Sequence, residues 1–344
     1  MRHGMPRLIA GRTLSSLSAI FGASLISFIF LRLVPGNPAR LFLGQFASQD
    51  AVDKLVEQMG LKDPIYVQYY KYMWGFLRGD WGFSYTTGQP VTTQLGHRLP
   101  ATIELGLYAF LFAFVGAVAL AVIATYRRRP VVDGSVRAMS FFGLGTPPFW
   151  FGLVLLVVFS ERLHLFPGPD GRLSIDSTQP PSITGLYTVD ALVTGNFATF
   201  ADALWHIVLP AIALGLAPLA FLVRLLRANL LDVSREPFIV VVRSKGIGRF
   251  SAFARHALPN AFLPTLTAAG LILGQLLAGS VLVEKVFNWP GAGALVTDGI
   301  LRQDYAVVQA FILLSAVVYV VVNLVVDILY GVIDPRVRVV TAVA

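Results

Sequence analysis

The side chains of this sequence that could do chemistry are few and far apart. Its five histidines, His3, His97, His164, His206 and His256, lack paired metal-ligand spacing. His206, near the end of an apolar run, reads as a packed or interfacial histidine. Cysteine is absent, which removes disulfides, thiolate metal sites, iron–sulfur ligation and a cysteine nucleophile together. No lysine follows a glycine, so a Gly-Lys-Ser/Thr phosphate loop is ruled out, and neither His-Glu-x-x-His nor Gly-x-Ser-x-Gly occurs. Catalytic residues and metal ligands are therefore expected to be none. Glu104 borders an apolar run, where water is expected to reach it. What remains is mechanical: Thr146-Pro147-Pro148, Pro210, Pro218, Pro259 and Pro264 within apolar runs, and a basic segment, Arg224–Arg255, containing Arg243-Ser244-Lys245-Gly246-Ile247-Gly248.

The elements carrying these residues must be membrane helices. Of the 344 residues, 56% are hydrophobic and only 13% charged, against about 25% charged in an ordinary soluble domain. Mean hydropathy is +0.69. These values exclude disorder and leave too little charge to cover soluble domains. Six stretches free of Asp, Glu, Lys and Arg reach the roughly 18 residues a crossing needs: Leu14–Leu31, Leu105–Tyr126, Ala138–Ser160, Ala203–Val223, Ala257–Val283 and Tyr305–Val326. Their length argues for helices, since barrel strands alternate in polarity over about 10 residues. The first run is too long, and too poorly followed by small residues, for a cleaved signal peptide. The predicted fold class is an all-α integral membrane protein of six transmembrane helices, at 14–34, 105–126, 138–160, 203–223, 257–283 and 305–329.

An even number of crossings puts both termini on one side, and the arginines say which. Arg2, Arg7, Arg12, Arg127, Arg128, Arg129, Arg137, Arg224, Arg227, Arg235, Arg243, Lys245, Arg249, Arg255, Arg336 and Arg338 all fall in short segments on one side, while most acidic residues fall on the other. The positive-inside rule makes the basic side cytoplasmic. That assigns 1–13, 127–137, 224–256 and 330–344 to the cytoplasm, and 35–104, 161–202 and 284–304 to the exterior. The formal net charge of +8 is thereby explained by topology, and nucleic acid is not an expected partner.

Within the first outer loop, Val52, Leu55, Val56 and Met59 repeat with amphipathic helical spacing. Asp50 is placed to cap that helix and Gly60 to end it. Tyr66, Tyr69, Tyr70, Tyr72, Trp74 and Phe76 follow, as expected of an interfacial anchor or of a platform for an external partner. The segment 161–202 reads as an irregular exposed loop. On the inner side, Gly246 and Gly248 interrupt a helix and give a helix–turn–helix. The prolines in the spans are either packing kinks or hinges of a pathway. Ionisable groups are nearly absent from the spans, which argues against a proton-coupled transporter.

Several segments resemble a known family. Val240-Val241-Val242, three residues, Gly246, nine residues, then His256-Ala257-Leu258-Pro259 has the spacing of the Glu-Ala-Ala, Gly, Ile-x-Leu-Pro loop of ABC importer permeases. Gly246, Leu258 and Pro259 match it; the valines and His256 depart from it. Pro35-Gly36-Asn37-Pro38, Gly79-Asp80-Trp81-Gly82-Phe83-Ser84, Arg98-Leu99-Pro100-Ala101-Thr102-Ile103-Glu104-Leu105, Glu284-Lys285-Val286-Phe287-Asn288-Trp289-Pro290-Gly291-Ala292-Gly293, Arg302-Gln303-Asp304-Tyr305 and Asp334-Pro335-Arg336 are similar to the first, B-type, membrane subunit of dipeptide, oligopeptide and nickel importers. The resemblance implies a non-catalytic, multi-pass inner-membrane permease forming half of a translocation path. It implies a homologous second permease, two ATP-binding cassette subunits or one fused chain, an external substrate-binding protein and surrounding membrane lipid as partners. It implies no cofactor of the chain's own, ATP being bound by the partners. It makes Val240, Val241, Val242, Arg243, Ser244, Lys245, Gly246, Ile247 and Gly248 the ATPase-coupling residues; because the valines replace the family's glutamate, Arg243 and Lys245 are expected from their own charge to supply the polar contacts instead. It names no substrate-binding residue. The alternative is an autonomous, homo-oligomeric channel or facilitator, which would have no use for the loop Arg224–Pro259.

Overall fold

In a computed structural model, residues 4–33, 38–43, 46–84, 86–127 and 130–333 are described. The segments 1–3, 35–37 and 334–344, and with them Arg2, Arg128, Arg129, Arg336 and Arg338, lie outside the described residues. The described chain is almost wholly helical. In order, α1 is Gly4–Leu33, α2 Pro38–Leu43, α3 Gln49–Gln58 and α4 Ile65–Leu77. A two-stranded antiparallel ribbon follows, β1 Phe83–Ser84 against β2 Gln89–Pro90 in the register Phe83↔Pro90. Then come α5 Val91–Arg127, α6 Pro130–Gly145, α7 Pro148–Leu155 with a π-helical extension Leu156–Arg162, α8 Tyr187–Val193 and α9 Phe197–Val233. The chain continues through α10 Pro237–Ser244, α11 Arg249–Ala252, a π-helical turn Phe253–Ala257, α12 Leu258–Leu277, α13 Val281–Val286, α14 Ala292–Leu301 and α15 Tyr305–Ile333.

The centre of the molecule is the pair α5–α9, with α12 and α15 on one side and α6 and α7 on the other. Small residues make the pairing possible. Ala101, Leu105, Ala109, Ala113, Ala117 and Ala121 are all buried at a spacing of four, one ridge along α5. A Cβ at Gly215 of α9 would lie 2.7 Å from the Ala109 carbonyl oxygen, so the backbones touch there, as small residues permit in membrane helices. α9 runs continuously through Pro210 and Pro218, and α12 through Pro264. Those prolines are absorbed as packing within the bundle and make no break.

Among the described residues, four continuous helices are long and apolar enough to cross a bilayer: Val91–Tyr126, Phe197–Val233, Arg249–Leu277 and Tyr305–Val326. The third expected crossing, 138–160, is not a straight helix. Gly134–Gly145 and Pro148–Arg162 meet at 109°. Pro148 opens α7 and holds Pro147 extended (φ −61°, ψ 131°), because a residue before proline is driven out of the helical region. The Thr146 hydroxyl donates to the Phe142 carbonyl at 2.7 Å. The first run forms α1, whose apolar stretch among the described side chains is Leu17–Phe30.

The long loop before α5 is packed rather than merely laid on a surface. α3 is capped by Ser48, whose oxygen accepts from the Ala51 amide, so Asp50 sits inside the first turn. Gly60 (φ +66°) ends that helical region. In α4, Tyr66, Tyr70 and Trp74 are exposed. Its other face grips the bundle: Tyr69 shares a 2.7 Å hydrogen bond with Ser24 of α1, and the Tyr72 hydroxyl donates to the Gln309 carbonyl of α15. Asp304 fastens the ribbon to α15 by accepting from the hydroxyls of Ser84 and Thr86.

Candidate functional site

At the end of α9 the chain turns back on itself. Ser234 closes the helix by donating to the Leu230 carbonyl at 2.5 Å. Glu236 is extended (φ −63°, ψ 142°), and Pro237 starts α10, a position where its missing N–H costs nothing. Ile239 is the buried residue of this helix; Phe238, Val240 and Val241 are exposed, Val240 at 60%. The helix ends at Lys245. Gly246 then takes φ +81°, in the left-handed region that glycine enters without steric cost. Gly248 precedes α11 as its cap residue.

The second arm is seated on α5. Arg249 donates to the Tyr126 carbonyl at 2.9 Å and stands 5.2 Å from that ring. Phe250 and Phe253 pack edge-on and tilted against Tyr126, at 5.9 and 5.5 Å between centroids. Between the arms lies a cavity of about 450 Å³ bordered by Tyr126, Ser234, Ile239, Arg243, Arg249 and Phe253. The nine residues Val240 to Gly248 form one hairpin tip, with Val242 and Ile247 half-buried and the others exposed. Sequence spacing passed over Phe250, which is 67% exposed, and the seat on Tyr126. An aromatic residue amid arginines was the available signal for Phe250; the α5 carbonyl left none.

The opposite end of α5 holds a second cluster, which fixes the segments carrying Arg172, Thr188 and Glu284. Glu104 is 2% exposed. Its Oε2 lies 2.5 Å from an Arg172 guanidinium nitrogen, and its Oε1 accepts from the Thr188 amide and hydroxyl at 2.8 and 2.7 Å. The expectation that water reaches this carboxylate is therefore corrected, since Arg172 folds over it. Arg172 also donates to the Gly185 carbonyl and stacks 3.4 Å from the Tyr187 ring. The segment 161–202, expected to be irregular, contains α8 and the first turns of α9, and its turn is tied by Asp190. Burial pushes the Asp190 carboxyl up, but the hydroxyl and amide of Thr184 and the amides of Gly185 and Ile183 outweigh it and hold it below the usual carboxylate range.

One turn earlier on α5, the Trp289 indole N–H donates to the Ala101 carbonyl at 2.8 Å. The Thr102 hydroxyl donates to Glu284 at 2.8 Å and accepts from the Ala292 amide. Glu284 is fully buried and accepts a further bond from the Ala294 amide. A Cβ at Gly291 would lie 2.3 Å from its Oε2, so that glycine is required for space. Burial pushes the Glu284 carboxyl up to about 7, against the opposing bonds from Thr102, Ala294, Gly293 and Ser280.

His206 is buried, its Nδ1 2.9 Å from the Asp202 carbonyl oxygen, a packed histidine. No group of three or more His, Asp or Glu able to hold a metal occurs among the described residues. The arrangement offers an exposed hairpin tip seated on Tyr126 of α5, and a hydrogen-bonded cluster towards the far end of the same helix.

Residues 117–339 match the model of the binding-protein-dependent transport system inner membrane component, and residues 5–106 that of the N-terminal part of such membrane components. The chain is 41% identical over 318 residues to the probable D,D-dipeptide transport system permease protein DdpB of Escherichia coli strain K12, covering 92% of this chain and 93% of that protein. It is 38% identical over 327 residues to the dipeptide transport system permease protein DppB of the same strain, covering 94% and 96%. It is 37% identical over 335 residues to the oligopeptide transport system permease protein AppB of Bacillus subtilis strain 168, covering 97% and 100%.

Proposed function

The chain belongs to the family of binding-protein-dependent transport system inner membrane components, and from that membership we propose that it is one of two permease subunits of an ATP-driven importer of short peptides. It is a multi-pass inner-membrane protein and a non-catalytic subunit. Its three named relatives carry dipeptide or oligopeptide transport in their names, which supports peptides as the substrate class. In this reading six crossings, at 14–34, 105–126, 138–160, 203–223, 257–283 and 305–329, put both termini in the cytoplasm, the third crossing being made by a bent pair.

The observation that carries coupling is the hairpin Pro237–Ala257. It is the exposed turn where two long apolar helices, α9 and α12, leave the membrane on the basic side. Its exposed Phe238, Val240, Val241 and Phe250 offer apolar area to a soluble partner, at about 25 cal/mol for each Å² buried. Arg243, Lys245 and Arg249 around it steer acidic partners. ATP-driven closure of the ATPase pair then moves the hairpin, and α9 and α5 rotate with it to change which side the path faces.

The test is mild-detergent isolation of the tagged full chain from its native membrane, followed by mass spectrometry. A homologous permease, one or two ATP-binding cassette chains and an external binding protein are the expected companions. Isolation of the chain with copies of itself alone, even after crosslinking, together with ATP-independent solute flux in liposomes, would replace this reading with a channel.

A further inference from the structure

The bent crossing leaves a pocket beside α9 on the basic side. Val136, Arg137, Ser140, Phe141, Leu144, Gly145, Arg224 and Arg227 border an open cavity of about 420 Å³. α6 and α9 run antiparallel and close here; a Cβ at Gly143 would lie 2.8 Å from that of Ala220. Arg137 directly precedes the charge-free run 138–160, and Arg224 directly follows the run 203–223. Their guanidiniums therefore stand at the level where hydrocarbon gives way to headgroups. Ser140 is buried beside them, and its hydroxyl has no hydrogen-bond partner. A buried hydroxyl left so is costly and marks a site that a ligand oxygen would complete. The remaining wall is apolar, and Phe141 is 85% exposed.

We propose that Arg137, Ser140, Arg224 and Arg227 bind the phosphate of an anionic phospholipid whose acyl chain lies along Phe141 and Leu144. Planar guanidiniums match phosphate oxygens bidentately, and basic pockets between membrane helices on the cytoplasmic side suit acidic headgroups. The pocket borders contain no carboxylate to receive a peptide ammonium, which argues for lipid over transported peptide. A lipid in this place wedges α6 against α9 below the 109° bend and so sets how far the bent crossing opens.

Native mass spectrometry of the detergent-purified complex containing the full chain tests this. The probes are phosphatidylglycerol, phosphatidylcholine with the same acyl chains, inorganic phosphate and a dipeptide. Phosphatidylglycerol adducts should exceed phosphatidylcholine adducts by about fivefold or more, since each basic residue near the surface contributes roughly 1 kcal/mol to anionic-lipid binding. Arg137→Gln with Arg224→Gln should remove that preference, Arg137→Lys with Arg224→Lys should keep part of it, and Arg162→Gln with Arg235→Gln should leave it intact. Equal retention of the two lipids by the unsubstituted complex overturns the proposal without any variant. So does an unchanged preference in the Gln pair, or displacement of phosphatidylglycerol by inorganic phosphate or by the dipeptide.

Discussion

Arg172 and Glu104, 68 residues apart in sequence, meet at 2.5 Å with side chains 6% and 3% exposed. The pair is shut away from water and stacked on Tyr187. Removing one partner of a buried pair leaves a charge without compensation and costs about 3–5 kcal/mol. Arg172→Met is therefore expected to lower the thermal midpoint of the detergent-solubilised chain sharply. Arg172→Met with Glu104→Gln should recover most of the loss. Equal midpoints for the single and double variants would show that the guanidinium matters only as packing.

Glu284 gives the fold a pH dependence of defined sign. Its carboxyl titrates near 7 in the folded chain, against 4.5 ordinarily, because it is buried. The folded state thus binds more protons than the unfolded one between those values. The contribution is full below about 4.5 and is lost as pH rises through about 7. The thermal midpoint should fall between pH 5 and pH 8. Glu284→Gln, which still pairs with Thr102 and Ala294, should flatten the fall, as fluorescence-monitored melting at a series of pH values would read.

At Gly246, φ is +81° and a Cβ meets nothing within 4 Å. Gly246→Ala and Gly246→Asp share a strain of about 1–2 kcal/mol, and both should fold and insert. Only the aspartate sets a negative charge among Arg243, Lys245 and Arg249. In the reconstituted complex, Gly246→Asp should cut ATP-dependent uptake tenfold or more, while Gly246→Ala retains most of it. Normal uptake by the aspartate variant would remove the hairpin from the coupling role.

The absence of native cysteine lets the orientation be read directly. Ile175 is 94% exposed and Lys245 is exposed at the hairpin tip. A membrane-impermeant maleimide applied to right-side-out vesicles should label Ile175→Cys at once and Lys245→Cys only after permeabilisation. The reverse order would invert the topology.

Much of the fold was legible because it rests on composition. A charge-free run near 20 residues has few options in water, and α5, α9, α12 and α15 each contain one. The hairpin was legible because a left-handed turn needs a residue like Gly246. Two features were not. The bend at Pro147 requires knowing that Pro147-Pro148 ends a helix where Pro210 and Pro218 do not, and the difference lies in the neighbours rather than the residue. The burial of Glu104 depends on Arg172, which stands in a segment rich in turn-forming residues. Nothing local in sequence announces a partner so distant.

A single turn of α5, Ala101 to Glu104, receives Trp289, Glu284 and Arg172. The segments carrying Arg172 and Glu284 to Trp289 are thereby keyed to one another through one piece of helix. They are not interchangeable parts: a loop grafted from a relative would arrive with the wrong key unless the lock on α5 came with it. Variation on this face is thus expected to move as a block, while the tips beyond the key, such as Ile175, remain free to diverge one residue at a time.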